Sequence, residues 1–416
     1  MDGFEFTMSY PATAERVTPR PAQRAPGSRS QVPSDHGMTP LTTLPLPSRH
    51  EQHSSVLEAD TTTARASSRC FFPGSRSVDL LGHAKPVPGT APLPTRLAGS
   101  SPATKPERIF STGTFTFKTI KSIYADSDEA VAAGKGVGIN LIRRQSDGVL
   151  YIEKLVAVST AIQQARAIAE IDALTQLKLA GAPNYINHML ESFSEPGAAF
   201  GSIILEYCEA GTAYSLIKRK ILERQQPTEA LIWHTLAGLS KALHFCHTGI
   251  DIDRFDRLPP QDWNTVCHLD IKHVNVFFTH DGGKNGIPRL VLGDFGCATT
   301  WQDIQDGTAK RTLQLRGTLG WFPPECKASS EGGWDGDYGM PTDIWQTGAV
   351  AQAICRLIMV PDMSFVMRGR ACGRHYSNEL NDLVTLCMNA DPLKRPRAAE
   401  VARVVKKQME VRGLVF

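Results

Sequence analysis

The 416-residue sequence contains no uninterrupted apolar run of about 18 residues, so no transmembrane helix is expected from hydropathy. Its first residues, Met1-Asp2-Gly3-Phe4-Glu5, lack the charged-then-apolar order of a secretory signal, and Asp2, Glu5 and Glu15 count against a mitochondrial transit peptide. There is little excess charge of either sign. Forty-five Lys and Arg against 42 Asp and Glu leave a formal +3, too small to argue for nucleic acid or a membrane surface as a partner. The nine cysteines, an odd number, show neither metal-ligand spacing nor a disulfide framework. A reducing compartment, cytoplasm or nucleus, is therefore expected. No internal repeat is present, and the oligomeric state is left open by the sequence.

What is present is unevenly distributed. Hydrophobic residues make up 41% and charged residues 21%, enough apolar material for a sizeable core, and the length allows two to three domains or one large two-lobed unit with a tail. Residues 1–105 are rich in Pro, Ser, Thr, Arg and Gly, poor in aromatics and without apolar period, and are expected to be disordered. Thr18-Pro19, Thr39-Pro40 and Ser101-Pro102 are candidate sites for a proline-directed kinase, and Leu44-Pro45-Leu46-Pro47 for a polyproline groove. A solvated, unmodified tail is the simpler reading.

The chemistry is concentrated in residues 267–296, C-H-L-D-I-K-H-V-N-V-F-F-T-H-D-G-G-K-N-G-I-P-R-L-V-L-G-D-F-G. Residues 276–278 and 289–292 are strand-like, and Asp281-Gly282-Gly283 and Asn285-Gly286 between them are turn signals, which predicts a β-hairpin. A hairpin brings its outer ends together, so Asn275, just before the first strand, meets Asp294, just after the second. That carboxamide and carboxylate make an oxygen site suited to Mg²⁺ and completed by phosphate oxygens. Asp270 and Lys272 lie on the loop entering the same end. This set of groups suits phosphoryl transfer, where positioning and charge neutralisation do most of the work.

His268-Leu269-Asp270-Ile271-Lys272-His273-Val274-Asn275 resembles the H-R-D-x-K-x-x-N catalytic loop of eukaryotic protein kinases, and Asp294-Phe295-Gly296 matches their D-F-G. The resemblance extends over most of residues 110–411. It implies an α+β, bilobal protein-kinase-like fold: a small β-rich N-lobe over about 106–206 and a mostly helical C-lobe over about 209–412.

Upstream, residues 115–120 alternate as a strand, and Gly134, Gly136 and Gly138 precede a second strand over 139–142. A turn at Ser146-Asp147-Gly148 leads to residues 149–152 and Lys154. The glycines resemble the kinase loop whose backbone approaches ATP phosphates, although with Gly134 first, Ile139 stands where the third glycine belongs. Thr160-Ala161-Ile162-Gln163 is a capping-box start, and Ala165, Ile168, Ile171, Leu174 and Leu177 form the expected apolar stripe with Glu170 beside it. By resemblance Glu170 pairs with Lys154, which holds the ATP phosphates. Residues 201–205 read as a buried strand running into Glu206-Tyr207-Cys208-Glu209, which resembles the kinase hinge. Leu205 would be the gatekeeper, and Glu206 and Cys208 would bind adenine through backbone. The Glu-Tyr-Cys-Glu hinge leans towards the NIMA-related kinases.

Ile232, Leu236, Leu239, Leu243 and Cys246 mark a long amphipathic helix, and residues 249–266, with Pro259-Pro260, read as a surface insertion. Thr299, Thr300, Thr308 and Thr312 lead to Gly317-Thr318-Leu319-Gly320-Trp321-Phe322-Pro323-Pro324-Glu325, similar to the close of a kinase activation segment. Asp343-Ile344-Trp345-Gln346-Thr347-Gly348 looks like D-x-W-S-x-G, and Asp391-Pro392-Leu393-Lys394-Arg395-Pro396 like D-P-x-x-R-P, which implies a structural Glu325–Arg395 pair. Residues 373–379 are short for a C-lobe, so trimmed substrate-facing helices are expected.

The resemblance implies a serine/threonine protein kinase using ATP and Mg²⁺ on protein hydroxyls. Asp270 would accept or orient the hydroxyl proton, Lys272 would neutralise the γ-phosphate, and Asn275 and Asp294 would hold the metal. Leu269 stands where an arginine commonly neutralises a phosphorylated activation loop, so activity is expected to be independent of that phosphorylation. A nucleotide-binding pseudokinase scaffold and a small-molecule phosphotransferase are the competing classes.

Overall fold

The computed structural model describes residues 108–123, 138–194, 198–254, 260, 262–284, 286–307, 317–328, 334–335 and 338–416. The expected 1–105 tail, Gly134, Gly136, Asn285, Thr308 and Thr312 lie outside them.

Period-two alternation builds the first layer. Strands β1 (Ile109–Ser111), β2 (Thr116–Ser122), β3 (Ile139–Arg144), β4 (Leu150–Ala157), β5 (Met189–Phe193) and β6 (Phe200–Glu206) form an antiparallel sheet in the order β1-β2-β3-β4-β6-β5. Phe117, Ile142 and Ile204 pack together on one face with Phe110, Phe115, Tyr151 and Phe193, rings meeting at 5.7 Å between Phe110 and Phe117. Adjacent residues of a strand face opposite ways. Glu153 is thus buried among Arg108, Asn140 and Ser202, while Lys154 projects to the other side, towards helix α1.

Helix α1 (Ala161–Leu179) starts at the predicted capping box, Thr160 accepting from the Gln163 backbone and Gln163 reaching back. Its buried face differs from the expected stripe. Ala167, Glu170, Ala173, Leu174 and Leu177 are inside, whereas Ile168 is 56% exposed. The ion pair to Lys154 turns the helix so that a carboxylate occupies the buried face that apolarity alone would have given to Ile168.

The second layer is helical. Helices α2 (Ala213–Glu223) and α3 (Glu229–Thr248) precede strand β7 (Val266–Cys267) and the hairpin β8 (Val276–Lys284) and β9 (Ile287–Leu292). Ile232, Leu236, Leu239, Leu243 and Cys246 of α3 are all buried, as the spacing required. The hairpin is present but longer than expected. Its strands run through Asp281-Gly282-Gly283 with a register shift between Thr279 and Lys284, because a positive φ of 68° at Gly282 is absorbed as an irregularity. The described flanks of the 249–266 insertion are not loose surface: Trp263 meets Phe245 edge-to-face, donates to the Cys246 carbonyl, and closes over Gly249.

Beyond the hairpin come β10 (Thr299–Thr300), paired with β7, the short α4 (Trp301–Gln305), α5 (Met340–Arg356), α6 (Met363–Met367), α7 (Asn378–Cys387) and α8 (Ala398–Val411). Only the five-residue α6 lies between α5 and α7, in keeping with the expected trimming. Among the described residues no helix is long and apolar enough to cross a membrane.

Candidate active site

The catalytic-type loop hangs from α5. Asp343, buried at the first turn of that helix, accepts from the backbone N–H groups of His268 (3.0 Å) and Leu269 (2.8 Å) and pairs with His247 Nε2 at 3.0 Å. One turn on, Gln346 accepts from Ile271 N at 2.9 Å. His268 donates Nε2–H to the Gly293 carbonyl and accepts from Asp270 N through Nδ1, with its ring 4.8 Å from that of Phe295. Both imidazole nitrogens are thereby spent, and His268 is a structural residue rather than a base.

This suspension gathers the polar set around Asp270. Its Oδ1 accepts from Thr318 Oγ1 at 2.8 Å, and its Oδ2 accepts from Lys272 Nζ at 2.9 Å and Asn275 Nδ2 at 3.2 Å. Lys272 also donates to Thr318 Oγ1. Asn275 is fully buried, its Nδ2 committed to Asp270 and its Oδ1 without a hydrogen-bond partner. Hairpin pairing of Val276 with Leu292, and the bond from Gly293 N to Asn275 O at 3.0 Å, set Asp294 next to this group.

On the sheet side, Lys154 Nζ lies 2.5 Å from Glu170 and 2.7 Å from Asp294. Burial alone would push this lysine down, but the Asp294 and Glu170 charges outweigh it and hold the ammonium protonated well above the usual lysine range. Asp294 sits at a φ of 64° and Leu269 at 61°, two non-glycine residues in the left-handed region that flank the site. Gly138 stands across from β4, its carbonyl accepting from Leu155 N at 2.9 Å.

The hinge residues are clamped to the hairpin. Glu206 pairs with Arg289 at 2.9 Å, and Glu209 accepts from Thr279 Oγ1 at 2.7 Å and His280 N at 2.6 Å. Asn187 donates to the Glu206 carbonyl at 3.2 Å and to Cys208 Sγ at 3.7 Å. Burial pushes the Cys208 thiol up to about 12, so it stays protonated.

His273 is wedged between Tyr214 and Trp321, with ring separations of 5.0 and 4.8 Å. Burial is the main cause holding it down to about 4; the Met359 backbone opposes this and the Lys272 charge adds to it. The fold favours the neutral ring, whereas the unfolded chain takes up a proton near the ordinary value of about 6.5. Stability from this residue is therefore complete above pH 6.5 and is lost on acidification towards 4, by about 3 kcal/mol. Melting temperatures between pH 4.5 and 7.5 should show this loss, and His273→Phe should flatten it.

Two of the expected activation-segment threonines have structural duties. Thr299 is buried in β10, paired with Cys267, and Thr300 caps α4 through Asp303 N at 3.2 Å. Replacing them would test packing rather than phosphorylation. The expected Glu325–Arg395 pair is present at 2.5 Å with both guanidinium arms engaged. Thr318, Asp343 and Gln346 belong to the quoted motifs, and their individual roles emerge only from these contacts. The short Gly317-Thr318 step and the polar residues within an otherwise buried helix were the available signals. Asn187 carried none.

A protein kinase domain profile matches residues 127–405, more than half of the chain. Similar proteins include serine/threonine-protein kinase Nek2 of Homo sapiens, 28% identical over 272 residues that cover 62% of this chain and 54% of the relative. G2-specific protein kinase nim-1 of Neurospora crassa is 24% identical over 312 residues, 68% of this chain and 34% of its own length. G2-specific protein kinase nimA of Emericella nidulans is 23% identical over 315 residues, 69% and 42%. The chain thus spans about half or less of the length of these three relatives, which are NIMA-related kinases, the group towards which the hinge leans. With the catalytic-loop and D-F-G residues assembled at the hairpin mouth and the profile matched across both layers, the chain belongs to the protein kinase domain family.

Proposed function

We propose that this chain is an ATP-dependent serine/threonine protein kinase of the NIMA-related type, transferring the γ-phosphoryl group of ATP to protein hydroxyls. The observation that carries the reading is the shared network of Asp270, Lys272 and Thr318, which lies at the same hairpin mouth as Asp294 with its Lys154–Glu170 pair. Asp270 orients the acceptor hydroxyl and takes its proton, and Lys272 neutralises charge on the phosphoryl group in transfer. Lys154, fixed by Glu170, holds the ATP phosphates, with Gly134, Gly136 and Gly138 as the candidate phosphate-approaching backbone. The backbone of Glu206 and Cys208 faces adenine. Asn275 and Asp294 would hold Mg²⁺: a buried carboxamide oxygen without a partner beside a carboxylate is an environment that a hard cation satisfies. When bound with ATP, that ion neutralises phosphate charge.

The test combines thermal stabilisation by ATP and Mg²⁺ with transfer of labelled phosphate to a generic protein, Asp270→Ala serving as control. Stabilisation without transfer would replace this reading with a nucleotide-binding scaffold, and transfer to small alcohols but not proteins with a small-molecule phosphotransferase. Because Leu269 offers no guanidinium to a phosphate, the Thr308→Ala/Thr312→Ala double variant is expected to keep most of the transfer rate. A fall to background in that assay refutes the expectation.

A further inference from the structure

The side chain of Gln346 is fully buried on α5, and all of its bonds go to backbone. Its Oε1 accepts from Ile271 N at 2.9 Å, and its Nε2 donates to Leu269 O at 3.2 Å and to Trp321 O at 3.1 Å. Ile271 and Leu269 are the two neighbours of Asp270. Trp321 lies three residues beyond Thr318, whose hydroxyl bonds the Asp270 carboxylate. One neutral group therefore ties both flanks of Asp270 to the segment that reaches Asp270 from the other side.

We propose that Gln346 is a positioning residue that locks the Asp270 loop to the 317–321 segment without using charge, and thereby governs presentation of the protein acceptor rather than binding of ATP. This rests on the kinase reading above. A serine, the residue of the D-x-W-S-x-G pattern, has one donor and too short a reach to span three backbone groups. The strained backbone of Leu269, at a φ of 61°, is held from both ends: its N–H by Asp343 at 2.8 Å and its carbonyl by Gln346. Left-handed geometry at a non-glycine residue costs about 1–2 kcal/mol, so it persists only where its surroundings fix it. Position 269 carries leucine, and the link between loop and segment passes instead through a carboxamide that no phosphatase can remove. Neither Lys154, Glu170, Asp294 nor the hinge residues bond to Gln346, so its loss acts first on the Asp270 loop and the 318–321 segment.

Two variants separate this role from general destabilisation. Gln346→Met keeps volume and removes all three bonds. Gln346→Glu keeps the acceptor for Ile271 N and replaces Nε2, the source of both donated hydrogens, with one oxygen facing the Leu269 and Trp321 carbonyls. In the full chain, assayed well below each variant's own melting midpoint, both should bind ATP and Mg²⁺ within about twofold of wild type. Both should also lose about tenfold to a hundredfold in kcat/KM for a protein acceptor, with acceptor KM raised, the scale expected when reacting groups are displaced by about 1 Å. Amide hydrogen exchange should speed up at residues 269–271 and 318–321 but not at 154–170. The exchange pattern needs no activity, so it tests the lock even if the kinase reading fails, which the Asp270→Ala control decides separately. Unchanged exchange at 269–271 and 318–321, or parallel loss of ATP affinity and acceptor turnover, would overturn the proposal.

Discussion

Replacing Asp270 by asparagine is expected to lower phosphoryl transfer to a protein acceptor about a thousandfold while leaving ATP and Mg²⁺ affinity within a few-fold of wild type. Asparagine preserves shape and retains one oxygen for Thr318 or Lys272, so the change removes the proton acceptor with little effect on packing. A positioned general base contributes roughly a hundred- to ten-thousandfold, and Asp270 is well positioned, its oxygens fixed by Thr318, Lys272 and Asn275. Affinity should survive because the Lys154–Glu170–Asp294 group makes no bond to the Asp270 carboxylate, and Asn275 keeps its bond to the backbone carbonyl of residue 270. Single-turnover transfer and ATP-dependent melting on the same preparation make the comparison. Transfer within tenfold of wild type would move the base to another residue.

The parts of the site that could be read from the sequence are those where covalent spacing fixes geometry. Two strands joined by a tight turn must bring their outer ends together, and the Gly293 N to Asn275 O bond places the backbone preceding Asp294 beside Asn275. The Lys154–Glu170 and Glu325–Arg395 pairs were visible because each charge sat in a motif with a known complement. What was misread depended on tertiary competition. The apolar pattern of α1 assigned Ile168 inwards, yet Ile168 is 56% exposed while Glu170, paired with Lys154, lies on the buried face. Thr299 was placed by resemblance in the activation segment, and there strand pairing with Cys267 buries it. Gln346 was hidden for a related reason: a polar residue within a buried helix acquires meaning only when three backbone partners from distant segments close around it.

That distinction also bears on Leu269. Sequence alone makes it the loss of an arginine; the structure shows a backbone position whose N–H and carbonyl are both engaged, with the side chain buried. The loop backbone is therefore held from beneath by Asp343 and Gln346. Lys272 then completes the assembly by bonding both Asp270 and Thr318, so the 317–321 segment and the Asp270 carboxylate are registered to each other by side chains already in place.

The largest stability effect is expected at the far end of the same segment, where Glu325→Gln should cost about 3–5 kcal/mol. The Arg395 side chain is fully buried and meets Glu325 through both arms, at 2.5 and 2.6 Å, while also donating to the Asn389 carbonyl at 2.8 Å and the Pro341 carbonyl at 3.1 Å. Neutralising the glutamate leaves a guanidinium that can neither reach water nor lose its proton. Removing both charges is a different matter. Glu325→Leu/Arg395→Met takes away the unpaired ion as well as the bond, and should leave a deficit of about 1–2 kcal/mol, set by the two carbonyls that lose a donor. Urea unfolding followed by tryptophan fluorescence, with the single and double variants compared at equal slope, measures the difference. A single variant no less stable than the double would mean that the pair is solvated and that Arg395 is held by its backbone partners alone.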